Sequence, residues 1–155
     1  MGIAGYASEV VFSDMKKILF LALCLFAISP LCLMAEEIAA TDSRVTFLGR
    51  AEVENGALRF DWPSTYFRVA FKGKALSMRV SDNKRNFYAV WVDMPTSAEP
   101  TRIVEVKGND TIIDLVLPSD VKKSKIKEHQ VVIQKRTEAG CGTTTVFAFI
   151  TDGKF

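Results

Sequence analysis

The chain has 155 residues, 48% of them hydrophobic and 25% charged, with a formal net charge of +2. That length suits one principal domain, and the hydrophobic share suits a globular core rather than a disordered chain. So small a charge excess is no electrostatic footprint for nucleic acid.

The opening residues 1–14, MGIAGYASEVVFSD, precede a second methionine, Met15, and read as a start assigned too early. From Met15 the order is Lys16 and Lys17, an uncharged and mostly apolar run from Ile18 to Ala35, then Glu36 and Glu37. A basic start, an apolar run and a small residue before the acidic step make residues 15–35 a secretory signal peptide, cut after Ala35. The run is also near the lower limit of about 18 residues for a membrane span. Pro30 and the lack of basic residues just after the run weigh against a stable membrane anchor. Leu23 and Leu31 stand before Cys24 and Cys32, where lipidation needs a small residue. The expected destination is therefore export, periplasmic or secreted. Loss of residues 1–35 removes Glu9, Asp14, Lys16 and Lys17, so the charge balance is unchanged. Cys141 is then alone and no intramolecular disulfide can form.

Residues 36–43 are expected to be a disordered start, with a β-sandwich over 44–152. RVTFLGRAEV puts Val45 and Phe47 on one side before Gly49 interrupts the run, and ENGA is an Asn-Gly hairpin turn. LRFDW alternates Leu58, Phe60 and Trp62 against Arg59 and Asp61, and Pro63 ends it. TYFRVAFKG and KALSMRVSD alternate in the same way, with a tight turn, FKGK, between them. NFYAVWVD is apolar on both faces, as in the middle of a sheet covered on both sides, and Trp91 is expected in the core. TRIVEVKG, DTIIDLVLP, HQVVIQKR and TTTVFAFIT follow, for roughly ten short strands in all. PSDVKKSKIKEH has room for one helical turn, its lysines being solvated charge. The last two strands, 129–136 and 143–150, read as a terminal hairpin closed by a glycine-rich turn. The fold class is all-β, an antiparallel jelly-roll-like β-sandwich preceded by a signal peptide.

Catalytic chemistry is sparse. There is one histidine, His129, and no G-x-S-x-G or Gly-Asp-Ser stretch to present a nucleophile. His129 begins its strand while Cys141 lies past the far end of it, so the two stand more than about 20 Å apart. Asp61, Asp82, Asp93, Glu105, Asp114 and Glu138 fit turn or solvent-face positions better than a paired-carboxylate site. No pattern calls for a metal or a cofactor. What remains is aromatic: Trp62, Tyr66 and Tyr88 are candidates for packing against the C–H faces of sugars, and Trp62, beside Pro63 at a strand end, is the readiest to be exposed. Arg136 and Glu138, spaced two apart, share a face. They form either a surface ion pair worth under about 1 kcal/mol or, with Lys135, a grip on a neighbouring domain.

FLGR at 47–50, FDWPSTYFRVAFKGKALSMRVSD at 60–82, NFYAVWVD at 86–93 and IQKRTEAGCGTTTVFAF at 133–149 together resemble one family. They look like the N-terminal β-sandwich module of carbohydrate esterase family two, the acetylxylan and acetyl esterases. The resemblance runs from about Arg44 to Asp152. It implies a following SGNH-type hydrolase domain, missing or separately encoded, which carries the nucleophile and removes acetyl groups from plant polysaccharides. No catalytic residue transfers to this chain, which is expected to be inactive alone, with residues 153–155 the start of a linker. Two further readings stand beside this one: a self-standing carbohydrate-binding module, and a structural or interaction protein of the envelope.

Overall fold

A computed structural model describes residues 35–122 and 125–155. The expected early start and all but the last residue of the expected signal peptide fall outside the described residues. The strands are β1 (Glu36–Ala39), β2 (Val45–Leu48), β3 (Glu52–Glu54), β4 (Ala57–Phe60), β5 (Tyr66–Phe71), β6 (Leu76–Val92), β7 (Arg102–Val116), β8 (His129–Lys135) and β9 (Thr144–Thr151). A helical turn, α1 (Pro118–Val121), lies within the stretch expected to hold one, and a 3-10 turn spans Ala139–Cys141.

Alternation in sequence becomes alternation in burial. On β5, Phe67, Val69 and Phe71 are buried while Arg68 is exposed. The Asn55–Gly56 turn has positive φ at both residues, 50° and 80°, and closes β3 against β4 as Asn-Gly turns do. All strand pairings are antiparallel. One layer runs β2, β5, β8 and the C-terminal half of β6. The other runs the N-terminal half of β6, then β9, then β4 and β3. β7 pairs with β6 along both halves, so one long bent hairpin belongs to both layers. Between the layers the aromatic rings interlock: Phe67 of β5 lies 5.4 Å from Phe149 of β9 and 5.8 Å from Phe60 of β4, centroid to centroid. Such tilted and edge-on contacts are the favoured aromatic geometry.

The structure corrects the sequence reading in four places. KALSMRVSD and NFYAVWVD are one strand, because the polar residues between them keep pairing through register shifts at Val80, Asp82 and Asn86. β8 and β9 form no hairpin: β6 lies between them, pairing with β8 through residues 88–92 and with β9 through 76–82. The turn after β8 is thus an arch from one layer to the other. Residues 36–39 are a strand rather than disordered. β4 covers β9 only at 144–146, and β1 covers 148–151, burying Ile38 and closing an edge that would otherwise be unpaired. Residues 153–155 are bound into the fold: Lys72 and Lys154 exchange backbone hydrogen bonds of 2.7 and 2.8 Å, and the Phe155 N–H donates to Glu36.

Candidate functional site

Chain direction sorts the candidate residues onto two ends of the sandwich. β8 runs from His129 to Lys135 and β9 returns from Thr144 to Thr151, so the arch residues 136–143 lie at one end and residues 152–155 at the other. Eight residues of β9 separate the two ends by roughly 24 Å at the usual strand rise.

At the arch end, the loop after β4 is tied to β8 by reciprocal hydrogen bonds. Ser64 N–H donates to the Lys135 carbonyl at 3.0 Å, and Lys135 N–H to the Thr65 carbonyl at 2.9 Å. This brings Trp62, Tyr66 and the arch to the same end. The Trp62 side chain is 51% exposed, with the Arg50 guanidinium 5.3 Å from its ring centroid. It forms the wall between two clefts. One, of about 400 Å³, is lined by Arg50, Glu52, Arg59, Asp61 and Thr143 beside Trp62. The other, of about 430 Å³, lies between Leu48, Gly49 and Arg50 on one side and Pro63, Ser64 and Thr65 on the other. Tyr66 is half-buried on β5 and lines neither cleft.

Tyr88 is not a sugar contact. It is fully buried, on the core-facing side of β6 with Val90 and Val92, because both faces of that strand are covered. Its hydroxyl donates to Thr144 Oγ1 at 2.9 Å, and burial holds the phenol well above its ordinary ionisation range. Thr144 in turn donates to Asp82 Oδ2 at 2.6 Å, which also accepts from Asn86 Nδ2 at 2.7 Å. Asn86 reaches the Gly142 carbonyl as well and accepts from the Thr137 hydroxyl. This polar cluster fills the bend of β6 and anchors the arch.

Lys135 cannot grip a neighbouring domain, since it is 1% exposed. Its ammonium group turns inward and donates to the carbonyls of Thr137 at 2.7 Å and Glu138 at 3.3 Å. Burial lowers its pKa, opposed by the nearby Cys141, Asp82, Asp61 and Glu138. Arg136 and Glu138 are exposed, and among the described residues they make no ion pair with each other.

The far end holds an arrangement that sequence reasoning missed. His129, almost fully buried, places Nδ1 2.6 Å from Asp93 Oδ2, and the Asp93 carboxylate also accepts from the Gln130 N–H. The ring lines a basic cleft of about 710 Å³ with Gly73, Lys74, Ser119, Lys122 and Lys127. The two partners lie 36 positions apart in the chain, with no spacing rule to connect them. Among the described residues no hydroxyl or thiol hydrogen-bonds this ring, and no cluster of three or more His, Cys, Asp or Glu could hold a metal. The other acids go to separate partners: Glu105 to Arg85, which holds its pKa below the usual value, and Asp114 to Ser77.

Residues 47–155 match the family described as Carbohydrate esterase 2 N-terminal. Among solved structures, a family two carbohydrate esterase from Cellvibrio japonicus superposes with a TM-score of 0.65 at 21% identity, covering 78% of this chain and 34% of that one. An acetyl xylan esterase from the rumen bacterium Butyrivibrio proteoclasticus gives 0.60 at 14% identity, with 79% and 32% covered. The CBM36-1 domain of a multidomain xylanase from the hindgut metagenome of Trinervitermes trinervoides gives 0.53 at 9% identity, covering 76% of this chain and 95% of that one. These likenesses establish the fold, and the chain spans only about a third of the length of the two esterases. A search of curated proteins gives no match. The chain belongs to the carbohydrate esterase 2 N-terminal family.

Proposed function

We propose that this chain is the non-catalytic module of an exported carbohydrate esterase of the acetylxylan or acetyl esterase type. Its role is to support an SGNH-type domain that removes acetyl groups from plant polysaccharides. The observation that carries the reading is the family match over residues 47–155, in a chain whose fold accounts for about a third of each esterase named above. The one histidine of the chain is engaged by Asp93 at 2.6 Å.

The test is a chimera. The matching third of the Cellvibrio japonicus esterase is replaced by residues 35–155, and hydrolysis of a soluble aryl acetate is compared with that of the remaining domain alone. The chimera should be more active and melt higher than the bare domain, while the 155-residue chain alone gives background hydrolysis. A chimera no better than the bare domain, or turnover by the chain alone that one substitution abolishes, overturns the proposal.

A further inference from the structure

We propose that the two clefts flanking Trp62 form one groove that holds adjoining sugar units of a neutral polysaccharide chain. The ligand class rests on the esterase reading; the groove itself rests on geometry. Trp62 offers a large apolar ring at a surface where most large hydrophobics are buried. The Arg50 guanidinium lies over the ring and lines both clefts, so the indole is held in place while half its area faces solvent. A fixed aromatic plate gives a sugar's C–H face contact area without an ordering cost at binding.

The polar groups around that plate suit neutral hydroxyl groups rather than ions. In the first cleft two arginines, Arg50 and Arg59, face two carboxylates, Glu52 and Asp61, and Arg59 is already paired with Glu52 at 3.0 Å. The charges balance, which leaves no field to select an anion or a cation, while forked donors and carboxylate acceptors remain to bracket vicinal hydroxyls.

The second cleft carries an independent sign of a ligand. Thr65 lines it, is 2% exposed, and its Oγ1 is buried without a hydrogen-bond partner. Buried hydroxyls are normally satisfied, and an orphan beside a cleft marks a place for a ligand or water oxygen. Gly49 lies against this hydroxyl with φ of +149°, and a Cβ there would stand 2.8 Å from Oγ1 and 2.9 Å from Cγ2. Only glycine at position 49 lets the backbone pack this closely against Thr65. A change of χ1 rotamer would carry the hydroxyl toward the cleft that Thr65 lines. With Trp62 as the shared wall, one sugar unit lies toward Asp61 and the next toward Thr65.

The experiment uses the full chain in native affinity gels containing glucomannan, xylan or hydroxyethylcellulose, with fluorescence titration against cellohexaose, xylohexaose and mannohexaose. Wild type should be retarded by at least one polymer, and the matching hexaose should shift the emission of Trp62, the exposed one of two tryptophans. Trp62→Ala should weaken binding by about tenfold, as for a central aromatic anchor. Thr65→Val, which keeps shape and removes the hydroxyl, should weaken it severalfold. Arg136→Ala, at the same end but outside both clefts, should bind as wild type. No retardation on any polymer, undiminished binding by Trp62→Ala, or equal loss in Arg136→Ala overturns the groove. Because the chimera is assayed on an aryl acetate, failure of the groove leaves the esterase-module reading standing, and the reverse also holds.

Discussion

Individual side chains show how far residue type alone predicts role. Tyr66 and Tyr88 look equivalent in the sequence, yet one is half-buried and the other is enclosed, because strand pairing decides which face of β6 meets the core. Tyr88→Phe should cost about 1 kcal/mol in urea unfolding, the worth of its bond to Thr144, and leave polysaccharide retardation unchanged. Weakened retardation with unchanged stability would return Tyr88 to the surface. A second residue-scale effect lies at Asp42. Its carboxylate accepts two hydrogen bonds from the Arg44 side chain and one from the Arg44 N–H, which lowers its pKa from 3.8 to about 2. A depressed folded-state pKa stabilises the fold above the unfolded value, and that stability is lost as pH falls through the folded value. The stability advantage of wild type over Asp42→Asn should therefore be constant above about pH 5, fall between about pH 4 and pH 2, and vanish only by about pH 1. An advantage that persists to the lowest pH would show that the pair does not form.

At the scale of elements, the bend of β6 controls the architecture. A straight strand of that length would stay in one layer, whereas this one hands its pairing from β9 to β8 across residues 82–88. The polar cluster of Asp82, Asn86, Thr137 and Thr144 replaces the ladder bonds lost there, with Asn86 at its centre and fully buried. Asn86→Ala should cost about 2–4 kcal/mol, since it strands at least two buried polar groups. Lys84→Ala, at the exposed tip of the bend, should stay within about 0.5 kcal/mol. Equal, small effects in urea unfolding would mean that the cluster merely occupies space. The long hairpin was half legible in the sequence: each half showed its alternation, but DNKRN reads locally as a loop. Its continued pairing depends on β7, whose partners lie elsewhere in the chain.

Across the whole molecule, the two ends divide the surface. The side chains of Lys135, Arg136 and Glu138 suggest domain docking near the C-terminal end of the chain, but the arch carrying Arg136 and Glu138 lies at the opposite end from residues 152–155. We expect an esterase domain joined after Phe155 to meet first the end formed by Lys72, Lys74 and Lys154. In the chimera those lysines should be protected from amine-reactive labelling, while Lys84 on the arch side stays reactive, as read by mass spectrometry. Protection of Lys84 instead would bring the docking surface back to the arch. Arg136→Ala should change the stability of the isolated chain by no more than about 0.5 kcal/mol, being an exposed position.

The sequence by itself determined the fold class, the buried faces of β4 and β5, the Asn-Gly turn and the exposure of Trp62. These follow from period-two alternation and turn chemistry, which act over a few neighbouring residues. It also carried the motifs that resemble the esterase module. Only the tertiary structure decided that β8 and β9 are split by β6, that Lys135 points inward, that His129 meets Asp93, and that Gly49 and Thr65 line a cleft beside Trp62. Each of these joins residues far apart in the chain, and a pairing of that kind is set by which strands lie side by side, a choice that local patterns do not encode.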